Sequence, residues 1–215
     1  GISFADCFVN EWGVAVVSNA CRPSKIGEEK PEDMGIGYGL RRLVAERARS
    51  AREAVEIAGT LIEEFGYTSG RSYQFCDKNE AWVFQIPTGR RYVAKRIPDD
   101  HVYMIPNNYT IHEVDFADAE HKNCYFSKDL VEYAMKNGWY QPAVPGDYSD
   151  FDFARAYQDG PDKVHNLIRA RQTWPMLLGE RPEEWRPFSR KAPRKYTVAE
   201  LRRSEERRVG KECRS

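Results

Sequence analysis

The chain has 215 residues with Lys+Arg and Asp+Glu balanced at 33 each, so no global field recruits nucleic acid or an anionic membrane. That length holds one sizeable core or two small ones, and no apolar run approaches the roughly 20 residues a bilayer requires. Five cysteines, Cys7, Cys21, Cys76, Cys124 and Cys213, show neither paired CxxC spacing nor the density of a disulfide scaffold, and read as reduced, mostly buried thiols.

The N-terminus, GISFADCFVNEWG, shows no basic segment followed by an apolar core, so no secretory signal is visible. Phe8-Val9, a turn at Asn10–Gly13 and Val14–Val17 read as a tight hairpin whose second strand ends at Ser18-Asn19. Opening directly on a strand suggests truncation upstream. After a polar loop over Arg22–Met34 comes a helix carrying Leu40, Leu43 and Val44 on one side. A second helix is announced by the capping box Ser50-Ala51-Arg52-Glu53; Ala54, Ile57, Leu61 and Phe65 follow at helical spacing, and Gly66 stops it.

The stretch from Phe75 to Tyr109 holds three apolar runs, Trp82–Ile86, Tyr92–Ile97 and Val102–Ile105, separated by turn residues. Alternation puts Trp82, Phe84 and Ile86 on one face and Val83 and Gln85 on the other, the period of a half-buried strand. The third run stops at Pro106-Asn107-Asn108, where polar side chains are delivered to one spot. Further helices are expected from Ser127 to Gly138, burying Leu130, Val131 and Ala134, and over Lys163–Trp174, with another beginning in Tyr196–Arg202. No repeat or linker divides residues 1–202. The last segment, 203–215 (RSEERRVGKECRS), resembles the translation of a sequencing adapter and is set aside. Without it the charge balance is mildly acidic.

Several constellations read as structure. Gly35-Ile36-Gly37-Tyr38-Gly39 precedes a helix, but EEKPEDM stands where a dinucleotide fingerprint needs a strand, and the Gly-Lys-Ser/Thr of a P-loop is missing. His121-x-x-Cys124 has no second ligand pair, so no metal site is expected. Glu11, Asp77 and Glu80 read as turn formers. Asn19 and Asn107 at strand exits, and Arg169 and Arg171 on a helix where a guanidinium can grip a carboxylate in a fork, stand out as candidate site residues.

The motifs NEWGVAVVSNAC, GLRRLVAERARSAREAVEI, DKNEAW, VAKRIPDD, IPNNYTI and KNGWY, in that order from about Phe4 to Arg171, resemble the PepD-type cysteine dipeptidases of the N-terminal-nucleophile hydrolases. The chain is similar, more distantly, to bile-salt hydrolases and penicillin acylases. The resemblance implies an α+β fold, an αββα sandwich of two stacked antiparallel sheets flanked by helices, here incomplete at the N-terminus. It implies amide hydrolysis of a dipeptide by an N-terminal cysteine through a thioester, with the α-amino group as base and no cofactor.

By the same resemblance, Asn19 supplies an oxyanion-hole side chain, with Ser18 as competitor one residue away. Asn107 is a substrate-side asparagine, and Arg169, with Arg171 as runner-up, matches a downstream active-site arginine. Gly1 has no nucleophilic side chain, and Cys7 and Cys21 have nitrogens tied into peptide bonds. The nucleophile is therefore expected to be absent and the polypeptide as written inactive. Another amide substrate, or a noncatalytic scaffold, are the alternatives. A homo-oligomer, and a cytoplasmic or exported location, are left open.

Overall fold

A computed structural model describes residues 7–21, 24–29, 35–105, 107–160, 164–179 and 187–201. The adapter-like tail at 203–215 lies outside them. The elements are β1 (Cys7–Val9), β2 (Ala15–Ala20), α1 (Gly39–Arg47), α2 (Ala51–Phe65), β3 (Arg71–Cys76), β4 (Ala81–Ile86), β5 (Val93–Ile97), β6 (His101–Val102), β7 (Cys124–Phe126), α3 (Leu130–Lys136), α4 (Phe153–Tyr157), α5 (Val164–Leu178) and β8 (Arg190–Lys191). The class is α+β. Six strands form one antiparallel sheet in the order β1-β2-β3-β4-β5-β7, and β6 pairs with β8 separately.

Strand alternation sorts the sheet into two faces. Val14, Val16, Tyr73, Phe75, Trp82, Phe84 and Ile86 pack against Leu40 and Val44 of α1 and Ala54, Val55, Ala58 and Ile62 of α2. Stacked and edge-on rings, such as Phe84 on Tyr92 at 4.7 Å between centroids, fill this layer. Across the sheet, Cys21, Val83 and Val93 meet Tyr109, Ile111, Leu130 and Phe153 from the later loops and helices. The expected half-buried strand is therefore corrected: Trp82 to Ile86 are all buried, because both faces of β4 are covered.

Ser50 caps α2, its hydroxyl accepting from the Glu53 amide at 3.1 Å, while the Glu53 carboxylate accepts from the Arg49 amide at 2.7 Å. The apolar stripe is rotated from its expected position: Ala54, Val55, Ala58 and Ile62 are buried and Phe65 is 44% exposed. The small side chains let the helix lie close on the aromatic sheet.

Two further expectations are corrected. Val102–Ile105 is not a strand of the main sheet; β6 covers His101–Val102 alone, and Val102 and Met104 turn toward Trp174 on α5. β3, unannounced by a clean apolar alternation, is central. Its Arg71, Ser72 and Gln74 put polar side chains in mid-sheet. α5 runs past Trp174 to Leu178 with Pro175 inside it.

Candidate functional site

The polar centre of the molecule lies on the sheet face opposite α1 and α2. Asn19, Ser72 and Gln85 occupy registered positions on three neighbouring strands, so their side chains share that face. Ser72 and Gln85 are fully buried. Gln85 Nε2 donates to Ser72 Oγ at 3.3 Å and to Thr110 Oγ1 at 3.0 Å. Gln85 Oε1 accepts from the amides of Thr110 and Ile111, at 3.1 and 3.0 Å. The carboxamide therefore uses both ends to fasten the segment after β6 to the sheet.

Asn107 heads that segment. Its Nδ2 donates 2.8 Å to the Ala20 carbonyl at the exit of β2. Its Oδ1 accepts from Arg169 Nη1 at 2.5 Å, and its backbone amide donates to Asn166 Oδ1 at 3.2 Å. One asparagine thus joins the β2 exit to α5. Asn166 is 3% exposed while Arg169 is half-buried. Neighbouring contacts hold the same stretch: Cys21 Sγ reaches the Asn108 carbonyl at 3.4 Å, and the Tyr109 hydroxyl donates to the Ile86 carbonyl at 2.9 Å.

Of the residues picked from sequence, the fold brings the β2 exit beside Asn19, Asn107 and Arg169 together. Asn19 is the fifth residue of β2 rather than a residue beyond it. Its competitor Ser18 points to the other face, buried, with its hydroxyl accepting from Arg41 Nη1 at 3.2 Å. Arg171 is exposed, two positions along α5 and so about 200° around the helix from Arg169. Gln85, Ser72, Thr110 and Asn166 were not singled out. The usable signal was a polar residue inside an otherwise apolar strand.

Burial pushes the Cys21 thiol well above the ordinary range, against a smaller opposing effect of the nearby Arg71 charge. Cys124 is raised to about 11 by burial. Tyr103, whose hydroxyl is 3.0 Å from Thr110 Oγ1, is likewise pushed up by burial. These groups stay neutral near pH 7 and act as hydrogen-bonding supports. His121 Nδ1 lies 3.0 Å from the Cys124 carbonyl, and its ring stacks on Tyr125, so its contact is not with the Cys124 thiol. A separate cleft lined by Trp139, Tyr140, Asp150, Asp152 and Arg155 contains none of the expected site residues.

Residues 21–204 match the family model described as Peptidase family C69. The chain is 29% identical over 165 residues to a probable dipeptidase of Latilactobacillus sakei, covering 74% of this chain and 33% of that protein. It is 29% identical over 201 residues to a dipeptidase of Bifidobacterium longum (strain NCC 2705), covering 84% and 36%. It is 33% identical over 124 residues to a probable dipeptidase of Salmonella dublin, covering 57% and 27%. The chain spans about a third of the length of these curated relatives.

Proposed function

The chain belongs to Peptidase family C69, and on that premise we propose that it carries the substrate-holding part of a dipeptidase. The observation that carries this reading is the Asn107 side chain, which bonds the Ala20 carbonyl and the Arg169 guanidinium at once. A dipeptide has a charged group at each end and one scissile amide between them. A guanidinium fixed by its neighbour, rather than swinging in solvent, suits the carboxylate end.

In this reading Asn19 presents its side-chain amide to the oxygen of the scissile carbonyl as negative charge develops there. A donor fixed in advance of the reaction costs no reorganisation, and losing one typically slows such reactions about 100- to 1000-fold. Asn107 orients the substrate and Arg169, and Arg169 receives the substrate carboxylate. Arg171, exposed on another side of α5, is a weaker candidate for the same contact.

The proposed nucleophile is a cysteine that carries both thiol and free amine, attacking the amide carbon to give a thioester that water releases. An α-amino group, with an ordinary pKa of roughly 7.7–8.0, has a usable neutral fraction at pH 7. The cysteines described here do not fit that role: Cys21 and Cys124 are buried with raised pKa values, and each cysteine nitrogen is a peptide nitrogen. The 215-residue polypeptide is therefore expected to be inactive alone. The αββα sandwich of two stacked sheets is part of the same proposal.

The test is release of free amino acids from a panel of dipeptides by this polypeptide and by a full-length C69 protein containing it. Turnover by the full-length protein that disappears in Asn19→Ala and Asn107→Ala supports the assignment. Undiminished turnover in both variants, or a full-length protein cleaving other amides but no dipeptide, overturns it.

A further inference from the structure

We propose that Asn166 is a positioning residue of the substrate site, acting through Asn107 to fix where the Arg169 guanidinium can reach. The inference rests on the reading of Arg169 as the group that receives the substrate carboxylate, and adds a residue to which that reading gives no role.

Helix α5 buries one stripe. Asn166, Ala170, Trp174 and Leu177 follow one another at helical spacing and are all buried, while Ile168 and Arg171 on other sides of the helix are exposed. Ala170, Trp174 and Leu177 pack with Val102 and Met104. Asn166 stands at the top of the stripe, where another apolar residue would continue it. A buried carboxamide costs stability unless it is hydrogen-bonded, and the Asn166 Oδ1 accepts from the Asn107 amide at 3.2 Å.

Asn107 therefore meets one turn of α5 twice. Its backbone amide donates to Asn166, and its side-chain oxygen accepts from Arg169, one turn further along and on nearly the same side of the helix. A single bond to a long side chain would leave the helix free to pivot about it. Two bonds from one residue to one helical turn fix both register and angle. The third, from Asn107 Nδ2 to the Ala20 carbonyl, ties this unit to the end of β2, next to Asn19. The span from the Asn19 strand to the guanidinium is thus set by a chain of bonds in which Asn166 holds the helix.

The bond to Asn166 uses the main chain of residue 107, so its effect is separate from that of the Asn107 side chain. A guanidinium grips a carboxylate in a fork of two bonds only when the two planes meet at the right angle. Without the Asn166 acceptor, the turn that carries Arg169 can shift against Asn107, and the fork is presented in several places rather than one.

The deciding experiment compares a dipeptide with its C-terminal amide in a full-length C69 protein containing this sequence, as wild type, Arg169→Met and Asn166→Leu. Asn166→Leu keeps a similar volume and removes the acceptor. It should raise KM for the dipeptide about tenfold, as for a weakened charge-assisted contact, change kcat much less, and lose most of the preference for the free carboxylate. A purely structural role would lower kcat for both substrates alike and leave KM and the preference in place; that result, or unchanged kinetics, overturns the proposal. Failure of the underlying reading looks different: wild type then shows no preference, or Arg169→Met keeps it, and the proposal falls with that reading. Should Asn166→Leu fail to fold, Asn166→Ser, too short to reach the Asn107 amide, carries the same expected and overturning results.

Discussion

Arg169 donates to Asn107 across 62 positions of sequence, and Asn107 in turn donates to Ala20, 87 positions away. Three segments of the chain therefore meet at one carboxamide. Replacing Asn107 by alanine removes both bonds, and in a full-length active protein should lower kcat/KM about 100-fold, as for misplacement of positioned groups. Asn107→Asp should keep the Arg169 contact and lose donation to Ala20. Steady-state kinetics on one dipeptide separates the two variants, and equal activity of both with wild type would remove Asn107 from the site.

Gln85 should be a major support of this arrangement. Gln85→Leu strands the amides of Thr110 and Ile111 inside the protein, at about 2–6 kcal/mol in total if each buried donor left unsatisfied costs about 1–3 kcal/mol. Urea unfolding measures this. Hydrogen exchange should speed up at Thr110 and Ile111 more than in α2.

Gly70 is set by close approach rather than by its dihedral angles. An added Cβ would lie 2.1 Å from the Cys21 carbonyl oxygen and 2.6 Å from the Tyr109 hydroxyl. Backbone cannot yield as a flexible side chain can, so Gly70→Ala should destabilise by about 1–3 kcal/mol or more. The thermal midpoint should fall by several degrees, against little change for Gly39→Ala, where no described residue lies within 4 Å and φ is not positive.

Acid should unfold the protein through carboxylates held in their charged form. Burial opposes ionisation of Asp77, but amide donors from Ala51, Asn79 and Glu80 outweigh it and keep its carboxyl below the usual range. Burial likewise opposes Asp152, and His112 with the Arg155 amide outweigh it. A depressed carboxyl stabilises the fold fully above its unfolded pKa of about 3.9, and that contribution is lost as pH falls through the lower folded value. Urea midpoints from pH 6 to pH 2.5 should drop least in Asp77→Asn and Asp152→Asn. The same acid dependence in those variants as in wild type would contradict the assignment.

Much of the fold was legible because hydrophobic periodicity and caps act locally. The Ser50 box, the Trp82–Ile86 faces and the Leu130, Val131 and Ala134 stripe all depend on neighbours within one or two turns. β3 was not legible, since Ser72 and Gln74 break the apolar pattern for a reason visible only across the sheet, where Gln85 needs a partner. The Val102–Ile105 run misled because its apolar side chains answer to α5, not to a neighbouring strand. Asn107 and Arg169 were named as separate candidates, and their bond is a long-range fact that spacing does not encode.

The proposed site turns on Arg169 receiving a substrate carboxylate. In a full-length C69 protein carrying this sequence, kcat/KM should be compared for a dipeptide and its C-terminal amide, in wild type and in Arg169→Met. Wild type should prefer the free carboxylate by about tenfold or more, in line with a charge-assisted pair, and Arg169→Met should treat the two alike. An Arg169→Met variant that still discriminates as strongly as wild type would contradict the account.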